Sequence, residues 1–87
     1  MSYSVIFHEE ARRKIFALDH SVRKLILKKI ARMKTEPAGK HLRHGLPYFI
    51  AEVGQYRIAY EVDEAEKKKI IQFVGDHKEY AEWYRSV

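Results

Sequence analysis

The chain has 87 residues, a formal charge of +5 and no cysteine; this length suits one compact domain, and the composition excludes disulfides, thiolate metal sites and a cysteine nucleophile. A domain this small buries only about 60–65% of the surface its unfolded chain exposes, so its reserve of stability is modest. No apolar run is longer than four residues, as at Tyr48 to Ala51, far too short for a membrane span, and "MSYSVIFHEEARR" lacks the basic start and apolar stretch of a signal peptide, so a soluble cytoplasmic protein without membrane attachment is expected.

"SYSVIF" alternates Tyr3, Val5 and Phe7 against Ser2 and Ser4 and reads as a first strand. "HEEARRKIFAL" places Ala11, Ile15 and Leu18 at helical spacing, with Glu9 and Glu10 in the favourable first turn. After "DHS", "VRKLILKKIARMK" sets Val22, Leu25, Ile26, Ile30 and Met33 on one stripe, with Lys24, Lys28 and Arg32 opposite. Two helices joined so briefly form an antiparallel hairpin. "TEPAG" ends the second helix. A polar, basic stretch, "KHLRHGLP", leads into the strand "YFIAEV", a turn at Gly54-Gln55 and the strand "YRIAYEV". "DEAEKK" forms a charged turn, "KIIQFV" a fourth strand that Gly75 breaks, and "DHKEYAEWYRSV" a terminal helix in which Asp76 and Glu79 are spaced as a capping box.

The order is therefore β-α-α-β-β-β-α. It predicts an α+β domain over residues 1–87, a small antiparallel sheet with the N-terminal helical hairpin packed on one face. Charge is unevenly spread along it. Eleven Lys or Arg residues stand between Arg12 and Arg43 against Asp19 and Glu36, whereas six basic residues meet eight acidic ones from His44 onwards. The first half thus builds a basic surface that attracts nucleic acid or an acidic protein, or simply a solvated helix face.

Gly54-Gln55 has the Gly-X signature of a two-residue hairpin. Val53 then pairs with Tyr56, and Glu52 stands opposite Arg57. Phe49, Ala51, Val53, Tyr56, Ile58 and Tyr60 share the face that buries against the helices. Tyr48, Ile50, Glu52, Arg57, Ala59 and Glu61 share the other. A guanidinium in mid-strand has two readings: a cross-strand ion pair with Glu52, or a rigidly held fork for phosphate oxygens.

The core from Leu46 to Val62, with its V-G-x-Y-R-I-x-Y pattern at Val53 to Tyr60, and the closing "FVGDHKEYAEWY" resemble the RelE/ParE superfamily of type II toxins over nearly the whole chain. The resemblance implies a ribosome-dependent endoribonuclease that cleaves mRNA in the A site by 2′-hydroxyl attack, with no metal or other cofactor. It also implies neutralisation by an acidic, RelB-like cognate antitoxin in a hetero-oligomer. Arg57 matches the strand arginine that stabilises the phosphate and its transition state. Where the family often carries paired basic residues this chain has Ile50 and Glu52, and the carboxylate of Glu52 either acts as a general base or neutralises Arg57. His77 stands nearest the family's C-terminal arginine, as a candidate acid or base. Tyr80, in preference to Tyr84, matches the C-terminal tyrosine. Two other readings stay open: a ParE-like toxin that binds gyrase without nuclease chemistry, and a weakened member that keeps only antitoxin or nucleic-acid binding.

"HLRH" sets His41 and His44 three apart, but without Cys or a nearby acidic ligand a metal site is not expected. Lys40, Arg43, His44 and Lys78 are read instead as contacts to an RNA backbone. His8 and His20, at element boundaries, are read as structural. Trp83 and Tyr84 are expected to pack on the sheet edge.

Overall fold

The chain runs β1 (Ser4–Phe7), α1 (Glu9–Ala17), α2 (His20–Met33), β2 (Lys40–His41), β3 (Phe49–Val53), β4 (Tyr56–Asp63), β5 (Lys68–Asp76) and α3 (His77–Ser86). This computed structural model describes residues 2–37, 39–41 and 47–87, with backbone alone at Lys40 and His41. The helices begin where local chemistry starts them. The His8 ring accepts from the Glu10 N–H at the head of α1, and Glu9 and Glu10 occupy its positive end. At α3 the predicted capping box is complete: Asp76 accepts from the Glu79 N–H while Glu79 accepts from the Asp76 N–H.

The five strands lie in the order β1-β5-β4-β3-β2. β3 to β5 are antiparallel neighbours, as expected, and β2 joins β3 in the same sense, whereas β1 joins β5 in parallel. No hairpin links β1 to any strand, so no turn dictates its direction. β2 is a two-residue addition inside the polar, basic stretch that leads into β3, pairing Lys40 with Ile50 and His41 with Phe49. Gly75 does not break β5; it lies within the strand and pairs with Arg57.

Ala11 and Ile15 of α1 and Ile26, Ile30 and Met33 of α2 bury against Ala51, Ile58, Tyr60, Ile71 and Val74 of the sheet. The predicted inward faces of both helices and of the β3–β4 hairpin are therefore the core, with one exception. Leu25 remains 57% exposed and, with Val22, Val53 and Tyr56, borders an apolar groove of about 360 Å³ between α2 and the hairpin. It sits on the margin of the stripe, 100° around the helix from Ile26.

A β-bulge sets the second face. Tyr60 pairs with Ile71 but Ala59 pairs with Phe73, so Gln72 is an extra residue on β5. The phase of β5 shifts there: Val74 turns inward opposite Ile58, and Phe73 joins Ala59 on the face away from α1 and α2. That face receives α3. The Trp83 ring stacks on Phe73 at 5.2 Å and meets Tyr48 edge-on at 5.1 Å, and Ala59 beneath is wholly buried. The terminal helix thus packs across the sheet, not on its edge, because the bulge presents an aromatic floor to it. Lys14 of α1 pairs with Glu79 and ties the two helices together.

Candidate functional site

Arg57 owes its position to a tight turn. Gly54 adopts a φ of +57°, and a positive φ at the first of two turn positions is the arrangement of a II′ hairpin, which glycine reaches without a steric penalty. The turn fixes the register read from the sequence: Val53 opposite Tyr56 and Glu52 opposite Arg57. On its other side Arg57 faces Gly75. A side chain at Gly75 has no room, since a Cβ there would fall 2.7 Å from the Phe73 ring and 3.1 Å from Glu79.

The guanidinium folds back along the hairpin. Its Nη1 donates to the carbonyls of Gly54 and Tyr56, each at 3.1 Å. Its Nε lies 3.7 Å from a carboxylate oxygen of Glu52, with the Arg57 side chain 23% exposed and that of Glu52 64% exposed. The ion pair is therefore present and loose. At this exposure such a pair contributes about 0.2–1 kcal/mol.

Tyr80 approaches from α3. Its ring lies among those of Phe73, Trp83 and Tyr84. Burial pushes its phenol above the usual tyrosine value, Tyr84 and Glu52 raise it further, and the Arg57 cation pulls the other way. The balance keeps the hydroxyl protonated and able to donate at neutral pH. Glu52, Arg57 and Tyr80 thus form one electrostatic group across β3, β4 and α3.

The remaining predicted residues are more scattered. His77 and Lys78 are exposed at the head of α3, just beyond the glycine that pairs with Arg57. Both help hold the Asp76 carboxyl below its ordinary range, after the larger contribution of the Glu79 N–H. Lys40 stands in β2 beside Ile50. Arg43 and His44 lie outside the described residues. Among the described residues no group of three or more His, Asp or Glu side chains is arranged to hold a metal, and no helix is long and apolar enough to cross a membrane.

One ionisable residue escaped the sequence reading. Lys69 is fully buried; its ammonium donates to the carbonyls of Met33 at 2.8 Å and Glu36 at 2.7 Å and lies 4.6 Å from the centre of the Tyr3 ring. Burial holds its pKa below the ordinary lysine value. A cation here closes the C-terminal end of α2, where carbonyls lack helical partners. Its inward parity with Ile71 was the available signal. Lys69 is structural and contributes no surface charge to a ligand.

No described protein family and no curated protein matches the chain in sequence. Solved structures do. A chain of the RelBE2 toxin–antitoxin complex from Mycobacterium tuberculosis is 27% identical, with 88% of this chain and 93% of that chain aligned at a TM-score of 0.80. Its fold is RelE-like. The isolated RelE toxin of E. coli aligns at a TM-score of 0.75 and 21% identity, over 98% of each chain. The RelE–RelB complex of Pyrococcus horikoshii aligns at 0.71 and 20%, over 87% of this chain and 96% of that chain. At those lower identities the likeness is one of fold. The RelE-like fold accounts for the helical hairpin on one face and for the sheet that carries Arg57 on the other.

Proposed function

We propose that this RelE-like chain, as a single domain over residues 1–87, is the toxin of a type II toxin–antitoxin pair and cleaves mRNA in the ribosomal A site. The observation that carries this reading is Arg57, fixed in mid-sheet by a turn and faced by the carboxylate of Glu52, with the phenol of Tyr80 on the same face close enough to feel its charge. The step is transesterification. The 2′-oxygen attacks the adjacent phosphorus, the bond to the 5′-oxygen breaks, and a 2′,3′-cyclic phosphate and a free 5′-hydroxyl remain. Arg57 stabilises the charge that gathers on the phosphorane oxygens. The proton of the 2′-hydroxyl passes to a base, His77 or Glu52, and imidazole is the side chain suited to that exchange near neutral pH. Tyr80 donates to the phosphate or the leaving oxygen. No metal is needed.

Electrostatics supports a polyanionic target. Lys24 and Lys28 project from α2 into solvent and make no ion pair with a described residue. Lys78 adds charge near the site, and Lys40, Arg43 and His44 belong to the same basic reading. An acidic, RelB-like antitoxin would be drawn to this charge in the cytoplasm. RelE chains are seen with RelB in the mycobacterial and archaeal complexes.

A second reading is favoured by one observation. Glu52 is paired to Arg57 where a basic residue would strengthen a nuclease site, which suits a gyrase-binding or weakened toxin. Primer extension on an mRNA translated in vitro separates them. Ribosome-dependent cuts that disappear in Arg57→Ala and weaken in His77→Ala and Tyr80→Phe support the nuclease. An intact message with the wild-type protein refutes it, and inhibition of supercoiling would then establish the gyrase reading.

A further inference from the structure

We propose that Glu52 competes with the ligand phosphate for Arg57, so that the site is held weak towards free RNA and engages only when Glu52 is displaced. This rests on reading Arg57 as the phosphate ligand. The guanidinium has two kinds of partner, and they differ in how they can be exchanged. Nη1 is anchored on the backbone carbonyls of Gly54 and Tyr56, which belong to the hairpin and move only with it. The Nε edge faces Glu52 at 3.7 Å, longer than a direct hydrogen bond. Glu52 is well exposed on a flexible stem, so it can swing into solvent while the guanidinium keeps its place.

Two consequences follow from that geometry. The carbonyl anchors pre-orient the fork, which reduces the ordering cost when a phosphate arrives. The carboxylate meanwhile occupies the edge a phosphate would use, and it repels any phosphate that approaches before it leaves. A single-stranded RNA in solution offers Arg57 one phosphate and little else. An RNA held in place by further contacts supplies the additional binding that displaces Glu52. The effect of Glu52 on binding thus runs through Arg57, and once Glu52 has swung into solvent His77 is the base left for the cleavage step.

The test is fluorescence anisotropy with a labelled single-stranded 2′-O-methyl RNA, which binds but offers no 2′-hydroxyl for cleavage. The wild type, Glu52→Gln, Arg57→Ala and the double variant are compared at one salt concentration. Glu52→Gln is expected to bind about two- to fivefold more tightly than wild type, the range that release of one exposed ion pair supports. In the Arg57→Ala background the same change should give much less, because there is no guanidinium to release. An equal gain in both backgrounds means a simple change of net charge and overturns the proposal, as does no gain at all. The carboxamide keeps the shape of Glu52, and circular dichroism checks that each variant is folded. Because the probe cannot be cut, this result is independent of whether the protein is a nuclease, which primer extension decides.

Discussion

Replacing Lys69 with Met sets several physical terms against one another. The substitution removes a fully buried ammonium and leaves the carbonyls of Met33 and Glu36 without their donor. Met33 is buried, so its carbonyl bears the desolvation penalty of an unsatisfied group, about 1–3 kcal/mol. Glu36 is half-exposed and water can replace its lost bond, which limits that loss to about 0.5–1.5 kcal/mol. Loss of the cation over Tyr3 adds about 0.5–1 kcal/mol. Against these stands relief from burying a charge, and Met matches the stem in volume, so no cavity opens. Because the carbonyls stay behind, the losses should win by about 2–3 kcal/mol. A chain of this length has about 4–13 kcal/mol in total, and Tm should fall by about 8–24 °C. Urea and thermal denaturation measure this directly. The pH dependence adds a second check. The folded chain binds the Lys69 proton less tightly than the unfolded chain, whose lysine titrates near 10.5. The stability this group contributes therefore rises as pH climbs through the lowered folded value towards 10.5. The gap between wild type and Lys69→Met should widen on going from neutral to alkaline pH. A variant as stable as wild type would show that Lys69 does not cap α2, and a gap that narrows would show that its partners outweigh burial and hold its pKa up.

Gly75→Ala should destabilise the protein by about 1–3 kcal/mol from overpacking against Phe73 and Glu79, more than the roughly 0.5–1 kcal/mol that alanine restores in a strand. An unchanged Tm would mean that α3 shifts at no cost. Acid should loosen α3 before it unfolds the sheet. Lys14, then the Asp76 N–H, lowers the Glu79 carboxyl, and the Glu79 N–H, then that of Lys78, lowers that of Asp76. Their stabilisation is present above the ordinary values of 4.5 and 3.8 and is lost as pH falls through the lowered folded ones. Trp83, the sole tryptophan, reports this by fluorescence, and a signal that changes only with global unfolding would count against it.

Local rules made much of this protein legible in its sequence. Period-3.6 stripes gave α1 and α2 and four of the five apolar contacts of α2. A Gly-X turn gave the β3–β4 register to the residue, because a hairpin's loop length leaves only one alternation with the apolar face inward. Glu52 opposite Arg57 follows from that count alone. So does the capping box of α3, which needs only Asp76 and Glu79 three apart.

Other features depend on groups distant in sequence. Period-2 counting from Ile71 would turn Phe73 towards α1 and α2; the bulge at Gln72 reverses it, and no propensity marks that extra residue. The reversal builds the aromatic floor for α3, sets Gly75 beside Arg57, and brings Tyr80 to Glu52. Lys69 reads as one more surface cation until the end of α2 is placed over β5. The parallel pairing of β1 with β5 joins segments more than sixty residues apart, with no turn between them to fix their sense. Sequence determined every element but β2, and the inward faces of α1, α2 and the β3–β4 hairpin, since these follow from spacing within a few residues. Tertiary structure decided which faces meet, since burial and close packing couple residues that the chain order keeps apart.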